Sequence, residues 1–117
     1  MQSDELLILA QTSLEDMKAR DLRVLDVRGL TSVTDYLLIV SGTSDRHVRS
    51  MAQALIETAK QAGLPLLGVE GQEAGEWVLV DLCDVVVHVM QPQTREFYKL
   101  EDLWTVGNDV ATNTTAS

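Results

Sequence analysis

Several residue types are scarce in this chain of 117 residues, and each shortage excludes a class of protein. A single cysteine, Cys83, permits neither an internal disulfide framework nor a cysteine-rich zinc site. No apolar run approaches the roughly 20 residues that span a bilayer, and the first eleven residues are acidic where a signal peptide would be basic. No linker divides the chain. We therefore expect one soluble, cytoplasmic domain over residues 1–105.

Basic residues are also scarce, with nine Lys and Arg against eighteen Asp and Glu, which gives a formal net charge of −9. A chain of this charge is repelled by a phosphate backbone, so autonomous binding to nucleic acid is not expected. A basic protein partner would be attracted instead. The alternative is that the acidity serves only solubility.

Hydrophobic periodicity and capping residues predict the element order α-β-β-α-β-β-β-α. The predicted helices cover residues 4–20, 44–62 and 94–104. The predicted strands cover residues 22–27, 35–41 and 66–70, followed by a hairpin within residues 76–90. The continuous apolar run over residues 37–40 is typical of a strand buried on both faces. One long crossover helix and a meander-like end indicate an α/β protein of the α+β type, with helices packed on a mixed five-stranded sheet. Residues 106–117 lack periodicity and are predicted to be a disordered tail.

The second predicted helix has the clearest pattern. Its inward positions are Val48, Met51, Ala52, Leu55, Ile56 and Ala59. Thr43 or Ser44 is a suitable N-cap, and Gly63 is a suitable C-terminal stop. A small-residue loop before a helix can also bind phosphate. Simple capping is favoured, because the loop is not a P-loop and Asp45 would repel an anion.

The hairpin sequence EWVLVDLCDVVVHVM separates two kinds of side chain. A loop with an even number of residues is predicted to place Asp81 opposite Asp84, and with the same register Leu79 lies opposite Val86 and Trp77 opposite His88. One face is then purely β-branched: Val78, Val80, Val85, Val87 and Val89. The other face, here called the mixed face, carries Trp77, Leu79, Asp81, Asp84, Val86, His88 and Met90. The valine face suits a core, and the mixed face is predicted to be the working surface.

The last predicted helix places Phe97, Leu100 and Trp104 within one narrow arc, which predicts that they are core residues. Tyr98 points away from that arc. A tyrosine on the outer side of a terminal helix is a candidate contact residue, and an ordinary surface tyrosine is the alternative.

The sequence contains no convincing catalytic set. Nucleotidyl transfer needs two carboxylates at i and i+2 on one strand face to hold divalent metals, and Asp81 and Asp84 do not have that spacing. His47 and His88 have no third ligand that would complete a metal site. We therefore expect a binding protein rather than an enzyme, with no cofactor and no metal.

Ten short segments follow one another along the chain: TDY (34–36), SGTSDRHV (41–48), EG (70–71), Trp77, VD (80–81), DVVVHV (84–89), Arg95, Tyr98, LE (100–101) and LW (103–104). In order and spacing over residues 4–104 they resemble the ribosomal silencing factor (iojap-like) family. The resemblance implies a nucleotidyltransferase-like fold without catalytic residues. It also implies a translational repressor that binds the large ribosomal subunit through a basic protein, large-subunit ribosomal protein fourteen. The bound repressor would prevent joining of the small subunit when nutrients fall.

Two other functions remain open beside this one. A factor that assists assembly of the large subunit would use the same surface, and a divergent nucleotidyltransferase is the third hypothesis. Cys83 stands where the family's hairpin turn usually has glycine, so a positive φ there would be strained. A homodimer is expected when the partner is absent.

Partner contacts are expected from Trp77, Leu79, Asp81, Asp84, His88, Met90, Arg95 and Tyr98. Trp77 would be the aromatic anchor of the interface, with Leu79 and Met90 as apolar neighbours. Asp81 and Asp84 would form a charged rim.

Overall fold

A computed structural model describes residues 2–100 and Asp102, and the elements in this part of the chain follow the predicted order. The helices are α1 (Ser3–Asp16), α2 (Asp45–Gln61) and α3 (Pro92–Tyr98). The strands are β1 (Arg20–Asp26), β2 (Tyr36–Ser41), β3 (Gly68–Glu70), β4 (Trp77–Asp81) and β5 (Val85–Met90). None of the described helices is both long enough and apolar enough to cross a membrane. The predicted tail lies outside the described residues.

The five strands form one sheet in the order β1-β2-β5-β4-β3. β2 and β5 run parallel, and the other three pairings are antiparallel. All six residues of β2 are buried, as its apolar run predicts, because β2 lies between two strands and is covered on both faces. The predicted mixed five-stranded α+β fold is confirmed.

The larger core lies between the sheet and helices α1 and α2. The five hairpin valines predicted for this face are all 0% exposed: Val78, Val80, Val85, Val87 and Val89. The six inward positions predicted for α2 are buried as well. Each fully buried valine contributes roughly 1.5–3 kcal/mol of transfer free energy, so this face accounts for much of the driving force of folding.

A smaller core occupies part of the opposite face of the sheet. Its buried members are Leu25, Val27, Leu37, Ile39, Val86 and Met90, with Trp77, Leu79 and Leu100 packed against it. The mixed face, which was predicted to be the working surface, is therefore not available to a partner as a whole. Met90 is 0% exposed and His88 is 6% exposed, because β1 and β2 place apolar side chains beside β5 on this face and all of them need cover. The part over β4 and Asp84 at the turn remain partly open.

The hairpin register differs from the predicted one by two residues. Asp81 pairs with Val86, Leu79 with His88 and Trp77 with Met90. The connection is longer because Leu82 turns inward and is fully buried, and its N–H donates to the carbonyl of Val85 at 2.9 Å. Four residues, 82–85, separate the paired residues Asp81 and Val86, and because this number is even the two predicted faces keep their members.

The first and last helices are shorter than predicted. α1 ends at Asp16 because Lys18 adopts a positive φ of 64°, and the following residues join β1. α3 starts at Pro92, which suits the first turn of a helix, and ends at Tyr98 because Lys99 adopts the left-handed conformation. The helical projection at 100° per residue, which placed Phe97, Leu100 and Trp104 on one arc, therefore does not apply beyond Tyr98. Phe97 is 78% exposed, so its prediction as a core residue is wrong. Trp104 lies outside the described residues.

Candidate functional site

Three aromatic side chains meet where the start of β4 lies beside the end of α3. The ring centroids of Trp77 and Tyr98 are 5.0 Å apart, and those of Tyr98 and Phe97 are 4.9 Å apart in an edge-to-face arrangement. Trp77 is partly buried, whereas Tyr98 is 56% exposed and Phe97 is 78% exposed. We call these three residues the aromatic patch. Exposed, adjacent aromatic side chains are enriched in protein interfaces.

His88 forms the floor of the aromatic patch. The Trp77 Nε1–H donates to His88 Nδ1 at 2.9 Å, and the two ring centroids are 5.9 Å apart. Because an indole nitrogen can only donate, Nδ1 is the acceptor and the proton of the neutral ring is on Nε2. Burial lowers the pKa of His88 from 6.5 to about 4, which keeps the ring neutral at physiological pH.

Hydrogen bonds attach α3 to the last residue of β2 and to the residue before β4. The Arg95 Nη1–H donates to Ser41 Oγ at 2.9 Å, and the Gln91 N–H donates to the carbonyl of Glu76 at 3.0 Å. Arg95 is partly buried and faces β2 rather than the aromatic patch, so it holds the helix that presents Phe97 and Tyr98. It also lines a cleft of about 460 Å³, together with Asp21, Arg23, Ser41, Pro92, Glu96, Lys99 and Asp102.

The two turn carboxylates lie at the other end of the hairpin. Asp81 is four residues beyond Trp77 on the same face, which corresponds to about 13 Å along the strand. Asp81 Oδ1 accepts a hydrogen bond from the Cys83 N–H at 2.9 Å, and both Asp81 and Asp84 are partly buried. Cys83 has a φ of 76°, which is the left-handed region in which a residue other than glycine is strained.

The predicted site residues thus separate into groups. Trp77, His88 and Tyr98 meet in one cluster, and Leu79 is the register partner of His88. The remaining four do not join the patch directly: Met90 is buried, Arg95 supports α3, and Asp81 and Asp84 lie at the turn. Sequence reasoning missed Phe97 as a surface residue. No glycine marks the end of α3, so the sequence carried no signal that the helix stops at Tyr98.

The surroundings of His47 favour a structural role. Its Nδ1 accepts from the Thr43 N–H at 2.9 Å, and its Nε2 lies 2.8 Å from the carbonyl oxygen of Met17. Ser44 Oγ accepts from the His47 N–H, which confirms Ser44 as the predicted N-cap of α2. His47 thereby ties the start of α2 to the end of α1. Across residues 2–100 and Asp102, no group of three His, Cys, Asp or Glu side chains is placed to hold a metal ion.

Comparison with protein families identifies the chain's relatives. A family model described as "Ribosomal silencing factor during starvation" matches residues 1–116. The chain belongs to the ribosomal silencing factor family. The resemblance seen in the sequence is thereby confirmed, and the match extends beyond residues 4–104, which carry the motifs.

Relatives of known name and structure agree with membership of the ribosomal silencing factor family. The ribosomal silencing factor RsfS of Chromobacterium violaceum is 44% identical over 104 residues, which cover 89% of this chain and 85% of that protein. A crystal structure of a Chromobacterium violaceum protein superposes with a TM-score of 0.88 at 40% identity, covering 100% of this chain and 92% of the other. A mouse protein named "Mitochondrial assembly of ribosomal large subunit protein 1" is 41% identical over 96 residues, which cover 80% of this chain and 42% of the mouse protein. Membership of a silencing-factor family gives the chain a regulatory role connected with the ribosome.

Proposed function

We propose that this chain is a translational repressor that binds the large ribosomal subunit and sterically prevents joining of the small subunit. Its docking partner on the large subunit is the basic large-subunit ribosomal protein fourteen. Family membership supports a ribosomal target. The observation that carries the docking surface is the aromatic patch, in which an indole anchored on buried His88 adjoins two exposed rings.

The geometry of the patch suits a compact interface. Interface energy concentrates in a few aromatic or arginine residues near the centre of the contact, surrounded by residues that exclude water. Trp77 is partly buried before binding, and a partner that covers it would also cover Tyr98 and the outer side of Leu79. Met90 supports this surface from below rather than touching the partner.

Charge favours a basic partner. The net charge of −9 attracts a basic ribosomal protein and repels free RNA. Glu96 is exposed beside Phe97 and is paired with Lys99 at 2.9 Å, so the acidic charge on this side of the molecule comes from Asp81 and Asp84 at the hairpin turn. Because contacts at the margin of an interface are solvated, this contribution changes the association rate and weakens as salt rises.

Repression follows from occupancy alone. A folded domain seated on the joining surface leaves no space for the other subunit, and no bond is made or broken. In this proposal the protein acts in the cytoplasm under nutrient limitation. The free form pairs into a homodimer through the same patch, which removes the exposed rings from water.

A binding measurement on one substitution tests the docking surface. Trp77→Ala removes the anchor and is expected to weaken binding to purified large subunits by about 2 kcal/mol or more, which is roughly 30-fold. Val33→Ala is the matched control, because Val33 is 77% exposed on the loop between β1 and β2. Melting curves establish that both variants are folded. Wild-type affinity of folded Trp77→Ala would refute this docking surface.

A second candidate, assembly of the large subunit, is favoured by the name of the mouse relative. Both functions would use the same surface, so a binding assay does not separate them. Sucrose gradients of cells lacking the protein do. Accumulated precursors of the large subunit would indicate assembly, whereas excess joined ribosomes during starvation would indicate repression of joining.

A further inference from the structure

The polar edge of Trp77 points into the protein. An indole on an interaction surface usually directs its N–H towards water or a partner, because the N–H must be satisfied when the ring is buried. Here the Nε1–H donates to His88 Nδ1 at 2.9 Å instead. The hydrogen bond spans the diagonal between β4 and β5, since Trp77 is the register partner of Met90 and not of His88.

The acceptor is held rigidly. His88 is 6% exposed and lies in β5 between two strands, with Ile39 of β2 and Leu79 of β4 as its register partners. The β5 strand is the central strand of the sheet, and the backbone on both sides of His88 is paired. Because only 6% of His88 is exposed, its imidazole is packed on nearly all sides, and this packing restricts rotation of the ring and the direction of its Nδ1 lone pair.

The indole is also held from the side of α3. The Tyr98 ring packs against it at a centroid distance of 5.0 Å with an interplanar angle of 48°. The indole therefore has a hydrogen bond at one edge and a tyrosine ring against it. Both restraints exist in the free protein, before any partner arrives.

We propose that His88 is a positioning residue for docking: its imidazole fixes the orientation of the Trp77 indole and so preorganises the aromatic patch. This inference rests on the proposed function of the patch. A partner that meets an already oriented indole loses less conformational entropy on binding than one that must order it. His88 itself does not contact the partner, because it is buried beneath the ring.

A pair of substitutions separates positioning from simple filling of the core. His88→Leu fills most of the space with an apolar side chain and removes the acceptor. In His88→Asn the amide oxygen takes a position close to that of Nδ1 and can still accept from Trp77 Nε1. We expect His88→Leu to weaken binding to purified large subunits roughly tenfold, the equivalent of one hydrogen bond. His88→Asn should stay within about threefold of wild type on the same scale.

A spectroscopic measurement reports on the bond without the ribosome. The chain has two tryptophans, so a Trp104→Phe background leaves Trp77 as the single indole. In ¹H–¹⁵N spectra the Trp77 Nε1–H resonance should be protected from exchange with water in the wild-type and His88→Asn backgrounds. In His88→Leu the resonance should shift and exchange faster, while the backbone amide spectrum of the sheet stays dispersed.

The outcomes distinguish this inference from the proposed function. Wild-type affinity of His88→Leu, in a protein where Trp77→Ala binds weakly, would overturn the positioning role and leave the docking surface intact. Equal loss of affinity in both His88 variants, with the indole resonance unchanged, would overturn it as well. Wild-type affinity of Trp77→Ala would overturn the docking surface itself, and the exchange measurement would still test the bond. If His88→Leu does not fold, the chain with His88 in the Trp104→Phe background is decisive: a Trp77 Nε1–H that exchanges with water as fast as an exposed indole contradicts the proposal.

Discussion

Acidification is expected to destabilise this protein through His88. In the folded protein, burial lowers the pKa of His88 to about 4 from the ordinary value of 6.5. Above pH 6.5 the ring is neutral in both the folded and the unfolded state, so His88 has no effect on the pH dependence of stability. Between pH 6.5 and about 4, the unfolded state binds a proton that the folded state does not. Stability is therefore lost as the pH falls through this window.

The size of the effect follows from the two pKa values. One pKa unit corresponds to about 1.4 kcal/mol, so full titration removes roughly 3 kcal/mol of unfolding free energy. At pH 5 the loss is roughly 2 kcal/mol, because most unfolded chains are protonated there and few folded ones are. Against a total stability of about 5–15 kcal/mol, a loss of this size is readily measured.

Urea unfolding at pH 7.5 and pH 5.0, with wild type and His88→Leu compared, measures this contribution. Every other ionisable group is present in both chains, so the comparison isolates the contribution of His88. Wild type should lose roughly 2 kcal/mol more than His88→Leu on acidification. Equal losses in the two chains would show that the His88 pKa is not lowered in the folded state, and that the assignment of a buried, neutral acceptor for Trp77 is wrong.

Three further substitutions test other parts of the structure. Phe97→Ala should leave the melting temperature within about 2 °C of wild type, since exposed side chains contribute little to stability. It should also weaken binding to large subunits by about 1 kcal/mol; a large drop in melting temperature would mean that Phe97 is not a surface residue. Cys83→Gly should stabilise the fold by up to about 1 kcal/mol in urea unfolding, because glycine tolerates the φ of 76°. A less stable Cys83→Gly variant would contradict strain at the turn. Ser44→Ala should cost about 1 kcal/mol through loss of the helix cap, and an unchanged urea midpoint would refute that cap.

The parts of the fold that depend on local pattern could be predicted from the sequence. In α2, apolar residues recur at helical spacing between a serine cap and a glycine stop, so its core positions from Val48 to Ala59 were predictable. The hairpin faces were predictable because alternation along a strand survives any even change of register. The register itself was not, because burial of Leu82 depends on the surrounding core and not on the turn sequence.

The parts that depend on distant contacts could not be predicted. The pairing of β2 with β5 joins segments separated by α2 and two strands, and no local signal specifies it. The smaller core around Leu37 and Ile39 exists because of that pairing. This core buries Met90, which would lie on the surface if the hairpin were not paired with β2. Two of the three residues of the aromatic patch were predicted as contact residues. Trp77 and Tyr98 were identified, but Phe97 was missed because the end of α3 is set by the left-handed conformation of Lys99.

In the function proposed above, the aromatic patch docks on the large subunit and thereby excludes the small one. Light scattering during mixing of purified subunits measures joining directly. With wild-type protein added first, at about ten times its Kd for the large subunit, the scattering increase should be almost abolished. Trp77→Ala at the same concentration should occupy only about a quarter of the large subunits, because it binds roughly 30-fold more weakly, and most of the joining should remain. Full inhibition by the folded Trp77→Ala variant, or normal joining in the presence of bound wild-type protein, would contradict the account.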